Sequence, residues 1–239
     1  MTIGIIDSGI NPGFISFFKR GELLDGYDFV DRDNAPYARI NNHGSYLSYL
    51  VAGKEIDGYH GIDERLRILP VRMFDEYGKT TESRVIAGIH YAIDFGCQVL
   101  NISFGSSVVY SEVAQLIQLH PEIFFVCSVG DYSASSFLFP ACLPSTIAVA
   151  STDSGGRLYE YSNHSGKAMI YAPGVKIPVP FPDGKGNTKH TFLSGSSYST
   201  AIVSGIIGSC LLSDSLNREN LSNYDLYTEG LLDCRKFRN

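Results

Sequence analysis

Short apolar runs alternate with helix-like stretches along nearly the whole chain, and this alternation restricts it to a parallel sheet covered by helices on both faces. TIGII (2–6) reads as a strand ending at Asp7, and RILPVRMF (67–74), CQVLNISFG (97–105), EIFFVCSVG (122–130) and TIAVAS (146–151) read as further strands. Between them, SYLSYLVAG (45–53), ESRVIAGIHYAIDFG (82–96) and SEVAQLIQL (111–119) carry apolar residues at helical spacing. The clearest amphipathic pattern places Val85, Ile86, Ile89 and Ile93 on one face, with Gly96 as a stop. KAMIYAPG, VKIPVPFP and KHTFLSG read as short β segments, and SYSTAIVSGIIGSCLL (197–212) as a helix rich in small residues. No linker, repeat or low-complexity segment interrupts the 239 residues, so a single domain is expected, with one more surface helix in the tail 213–239.

The formal net charge of −6 is scattered along the chain, which argues against nucleic acid and anionic membrane as partners. No apolar stretch reaches 18 residues, and the first residues lack a basic run followed by an apolar core, so no signal peptide is expected and the expected location is cytoplasmic. The five cysteines, Cys97, Cys127, Cys142, Cys210 and Cys234, are odd in number and lack metal-type spacing. They fit thiols in a reducing compartment, and neither a metal nor a cofactor is expected.

Three short segments carry chemistry: DSG at 7–9, HGS at 43–45 and GSSYST at 195–200. A serine hydroxyl is a poor nucleophile until an imidazole takes its proton, and the imidazole needs a carboxylate to hold its tautomer and orientation. Asp7, His43 and Ser197 supply these three groups. Asp7 follows a predicted strand, whereas His43 and Ser197 stand at or near predicted helix starts. All three are therefore expected on the rim outside the carboxyl ends of the strands, where open parallel sheets bind ligands. Each residue alone has a plain structural reading as a turn or helix-start residue.

These segments and their surroundings resemble the subtilisin-type serine proteases, the subtilases. IGIIDSGI resembles the family's strand ending in the triad Asp, and NHGSYLSYLVAG resembles its His-Gly-Thr helix with Ser45 in the Thr place. VLNISFG, FPACLPSTIAVAS, YAPGVKI and SGSSYSTAIVSG resemble further family segments in the same order, so the resemblance covers nearly the whole chain. It implies a subtilisin-like three-layer α/β fold with a mostly parallel sheet, in which Ser197 attacks a carbonyl, His43 shuttles the proton and Asp7 orients His43. It further implies that Ser103, Phe104 and Gly105 form one wall of a substrate cleft, that Gly78, Lys79 and Thr80 form the facing edge, and that Gly130 lies against the substrate. An extended peptide is the ligand that two such edges accept.

One departure bears on activity. The resemblance implies two donors to the developing oxyanion, the Ser197 N–H and an Asn side chain, and here Asp131 stands in the Asn position. An ionised Asp repels an oxyanion, and a protonated one donates only if its pKa is raised. Activity that persists below neutrality would mark a protonated donor, and a plain alkaline rise would argue against one. The alternative is that Asp131 faces solvent and another group donates. The chain also opens at the Asp7 strand, without the segment that supplies part of the family's calcium site, so no calcium is expected. Three functions stand open: a slow serine endopeptidase of limited processing tasks such as leader removal, a pseudoprotease that binds peptide without cutting, and a transpeptidase or macrocyclase.

Overall fold

Period-two alternation within the strands decides which face each element covers. The computed structural model describes residues 1–38, 40–165, 170–185 and 187–213. Its strands are β1 (Thr2–Asp7), β2 (Tyr27–Asp28), β3 (Arg67–Arg72), β4 (Val99–Ile102), β5 (Phe124–Ser128), β6 (Ile147–Thr152) and β7 (Ile170–Pro173). They form one sheet in the order β2-β3-β1-β4-β5-β6-β7, and every pairing is parallel. Ile3, Ile5, Val99, Val126 and Val149 point to one face, where helices α1 (His43–Ala52) and α4 (Ser196–Leu212) pack on them. Ile6, Leu100, Phe125 and Ala148 point to the other, under α2 (Glu82–Asp94) and α3 (Ser111–Leu119). The expected subtilisin-like α/β layering is the one observed.

The α4 face of the sheet changes character toward the strand ends. Two residues beyond the last aliphatic side chain on that face come Asp7, Asn101, Ser128 and Ser151, all buried. Helix α4 is apolar nearly all round, as a helix enclosed by the fold must be. Its buried hydroxyls meet these polar strand ends. Ser204 Oγ donates to Asn101 Oδ1 at 3.0 Å, Ser196 and Ser128 hydroxyls lie 2.6 Å apart, and Ser199 Oγ donates to the Ala172 carbonyl at 3.0 Å.

Several elements differ from their sequence reading. In α2 the buried stripe is Val85, Gly88, Ile89 and Ala92, while Ile86 and Ile93 are only half-buried. Small residues at i+3 and i+7 let this helix lie close to the sheet, and the larger isoleucines ride on its flanks. The stretch after Asp7 holds a 3-10 helix, Pro12–Phe17, capped by Asn11, which buries Phe14 and Phe17. β8 (Ile177–Pro182) and β9 (Thr188–Leu193) pair only with each other, as an antiparallel hairpin. Asn101 and Asn163, each in a string resembling a glycosylation acceptor, are fully buried and leave no room for a glycan. No helix among the described residues is long and apolar enough to cross a membrane. The expected tail helix lies outside the described residues.

Beside Asp7 in the sheet register sits Arg72, whose buried guanidinium donates to Asp28 Oδ2 at 2.5 Å and to Asp31 Oδ2 at 2.8 Å. Asp28 is itself buried and accepts the Val30 and Asp31 N–H groups, so the pair pins the 28–31 turn to the end of β3. Removing one partner strands the other charge. Arg72→Leu is expected to lower the unfolding free energy by about 3–5 kcal/mol, read as a lower urea midpoint. A loss below about 1 kcal/mol would mean that Asp28 is solvated or protonated instead.

Candidate active site

Asp7 ends β1, His43 begins α1 and Ser197 is the second residue of α4, so all three stand at the carboxyl rim of the sheet. Local hydrogen bonds fix the first two. The Ser8 N–H donates to Asp7 Oδ1 at 2.7 Å, and the Ser8 hydroxyl accepts the Gly44 N–H at 3.0 Å, tying the strand end to the start of α1. Ser45, in the position of the family Thr, accepts the Asn11 N–H at 2.8 Å and adds a second tie. Across this junction His43 Nδ1 lies 2.9 Å from Asp7 Oδ1 and 3.0 Å from Oδ2.

Asp7 is 4% exposed and its ionised carboxylate only accepts, so the shared proton sits on Nδ1 and the Nε2 lone pair is left free. Burial works against a charged imidazole, but Coulomb attraction and the hydrogen bond from Asp7 outweigh it and hold His43 above its ordinary 6.5. Both effects suit a base that must carry a positive charge during reaction.

Ser197 is half-buried, and its hydroxyl donates to the Ser103 carbonyl at 3.0 Å. The Ser103 hydroxyl returns a bond to the Ser197 carbonyl at 3.1 Å and accepts from Asn101 Nδ2 at 2.9 Å, which locks the residue after β4 to the first turn of α4. The Ser197 N–H lies in that first turn, where a helix has no internal acceptor and carries a partial positive charge. It therefore points an unused donor into the site.

Asp131 does not face solvent. Both its carboxylate oxygens accept the Ser196 N–H at 2.9 Å, and Oδ2 also lies 3.0 Å from the Ser196 hydroxyl, which is the donor. The carboxylate thus caps α4 from a neighbouring loop. Burial pushes its pKa above the ordinary carboxylate value, and the two Ser196 bonds pull it back only in part. Gly195, just before α4, adopts φ +145°, and a Cβ there would lie 3.0 Å from Asp131 Oδ2, so glycine is what lets the carboxylate approach.

The substrate residues expected from the sequence are placed as follows. Thr80, Phe104 and Gly105 line one cavity of about 270 Å³ with Val85, Tyr110 and Phe139, and Phe104 meets Phe74 edge-on at 5.1 Å. Ser103, between the lining residues Ile102 and Phe104 in sequence, is itself bonded to Ser197. Gly78 and Lys79 form the tip of a turn closed by Asp75, exposed and outside the cavity walls. Gly130, with φ +98°, lies under Leu138, where a Cβ would approach Leu138 Cδ1 to 2.7 Å. Tyr132, the residue after Asp131, stands 75% exposed.

Three residues escaped the sequence reading. Buried Asn163 accepts the Tyr132 and Ala134 N–H groups through Oδ1 and donates to the Val129 carbonyl through Nδ2, so it shapes the loop that carries Asp131. Ser128 and Ser196 form a hydroxyl pair behind Asp131. The only sequence signal for them is an unusual number of small hydroxyl residues at strand ends and along one helix.

The subtilase family model (peptidase S8) matches residues 1–226. The chain is 30% identical over 210 residues to thermitase of Thermoactinomyces vulgaris, covering 86% of this chain and 73% of thermitase. It is also 30% identical over 208 residues to the thermophilic serine proteinase of Bacillus sp. (strain AK1), covering 85% of this chain and only 50% of that protein. Among solved structures, a cold adapted subtilisin-like serine proteinase superposes with a TM-score of 0.81 at 26% identity, covering 98% of this chain and 85% of the other.

The Asp7–His43 pair has a direct test. In a proton NMR titration His43 is expected to show a midpoint above 6.5, and Asp7→Asn is expected to lower it. A midpoint unmoved by that substitution would contradict the geometry.

Proposed function

We propose, from the premise that this chain belongs to the subtilase family, that it is a serine endopeptidase acting on an extended peptide through Ser197, His43 and Asp7. The observation that carries the reading is the buried Asp7 carboxylate on His43 Nδ1, with Ser197 on the same rim at a helix N-terminus. The substrate lies as an added strand along 103–105, with Thr80 opposite and a side chain in the apolar cavity between Phe104 and Phe139.

The reaction begins when the Ser197 hydroxyl turns from the Ser103 carbonyl toward the free Nε2 of His43. Oγ bonds to the substrate carbonyl carbon, the hydroxyl proton passes to Nε2, and the carbonyl electron pair moves onto oxygen. Asp7 stabilises the imidazolium without taking its proton. The C–N bond then breaks, the leaving amine takes the proton from His43, and water repeats the sequence to release the acid.

Asp131 bears on the rate. As an acceptor of two Ser196 hydrogen bonds it cannot also donate to the oxyanion in its ionised form. Protonation would relieve this only at a pH low enough to neutralise Asp131, whereas His43 must be deprotonated to act. The two requirements oppose each other, so Asp131 works as a helix cap and does not itself serve as the second donor. Unless a neighbouring group donates in its place, the absent amide corresponds to a rate lower by about 10²–10³. Slow turnover suits a single cut per substrate, such as removal of a leader from a precursor, better than bulk digestion. Buried, unbridged Cys97 and Cys127 fit a reducing cytoplasm.

The ionised pattern at Asp131 equally favours a second reading, a peptide-binding protein that does not cleave. A fluorophosphonate separates the two. The proposal expects labelling that is lost in Ser197→Ala and a hydrolysis rate that rises with pH through a midpoint above 6.5, because only neutral His43 is a base. Folded protein that binds peptide but is never labelled is a binding module.

A further inference from the structure

Ser197 is followed in α4 by a residue that neither the sequence reading nor the mechanism uses. Tyr198 is half-buried, and its ring packs against the His43 ring at 5.9 Å between centroids. On its other side it faces the loop of the capping carboxylate: a Cβ built on Gly195 would stand 3.0 Å from Asp131 Oδ2 and 3.8 Å from Tyr198 Cε2, and the Asp131 charge acts on the phenol. The ring therefore stands between the base and the loop that carries Asp131. Its hydroxyl makes no hydrogen bond with any described residue, so a strong donor stands unused at the rim of the site.

We propose that the Tyr198 phenol supplies the second hydrogen bond to the oxyanion on the Ser197 adduct, the bond that Asp131 cannot give. The inference rests on the serine-peptidase reading and deepens it. A phenol is a neutral O–H donor, one of the groups from which oxyanion sites are built, and it adds no charge beside His43. Burial raises its pKa, and the Asp7, Tyr46 and Asp131 groups acting on it add to the effect, to about 12, so the proton stays on oxygen at neutral and mildly alkaline pH, where His43 acts as a base. No proton is transferred: the phenol donates a hydrogen bond as the carbonyl oxygen gains charge, and withdraws when the carbonyl reforms.

The arrangement also accounts for the residue types that surround it. Asp131 holds the first turn of α4 through Ser196, the turn from which both the Ser197 N–H and the Tyr198 ring project. A cap that cannot donate is compatible with catalysis when a neighbouring side chain donates in its place.

The test is a double-mutant cycle in the full chain, with hydrolysis of the p-nitrophenyl ester of an N-acyl peptide and the rate of fluorophosphonate labelling as readouts. Tyr198→Phe keeps the ring against His43 and removes only the donor, and an unchanged His43 NMR midpoint checks that the packing survives. It is expected to lower kcat about 10²-fold with little change in KM, the magnitude of one oxyanion donor. In the Asp131→Asn background, where an amide can donate, the same substitution is expected to cost less than about tenfold, since the two donors substitute for each other. Equal losses in both backgrounds, a loss confined to KM, or no loss in kcat would overturn the role of the phenol while leaving Ser197 labelling, and hence the peptidase reading, intact. Absence of labelling and of ester hydrolysis in the unaltered protein would overturn both.

Discussion

The seating of α4 on the polar ends of the parallel strands is the constraint on which the rest of this structure depends. An apolar helix alone would slide on an aliphatic sheet, because burial is not directional. Here buried hydroxyl and amide groups fix its register. Ser204 bonds Asn101, Ser103 bonds the Ser197 carbonyl, Ser196 meets Ser128 and Asp131, and Ser199 meets the end of β7. Each of these groups is costly to bury without a partner, by about 1–3 kcal/mol, so the helix has few alternative positions. Ser197 inherits its location from this network, and the Asp7–His43 pair is brought to the same rim by the adjoining ties between β1 and α1.

The same network explains the position of Asp131. The first N–H groups of a helix need acceptors, and a carboxylate near a helix N-terminus gains from the positive end of the dipole. A carboxylate there therefore favours the fold. The rate of acyl transfer asks for the opposite, a donor aimed at the developing negative charge. Asp131 resolves the conflict toward structure, and under the proposed mechanism this leaves the oxyanion to the Ser197 N–H and to a neutral donor beside it.

Much of the sheet, the order of its elements and the three candidate catalytic residues were legible in the sequence, because they are local. β1 is a run of aliphatic residues ending in a polar one, α1 and α4 begin at turn-type segments, and a switch from period 2 to period 3.6 marks each crossover. What stayed hidden depends on pairs of residues far apart in the chain. Nothing near Asp131 indicates that it caps a helix 65 positions later, and nothing near Asn163 indicates that it supports the loop from Val129 to Ala134. The α2 face was read from its large residues, Ile86 and Ile93, whereas close packing selected Gly88 and Ala92. The Pro12–Phe17 turn was missed because a short 3-10 segment has no periodicity to detect. Gly78 and Lys79 stand at the tip of an Asp75-centred turn whose closing bonds are not visible in their own residue types.

The central claim is that Ser197 is a nucleophile held where its adduct finds a preformed donor. A crystal structure of the protein after reaction with a peptide aldehyde tests it most directly. The account expects a covalent bond between Ser197 Oγ and the former aldehyde carbon, the new oxygen within hydrogen-bonding distance of the Ser197 N–H, and the peptide running beside residues 103–105. A peptide bound with its aldehyde unreacted, and Ser197 still donating to the Ser103 carbonyl, would contradict it.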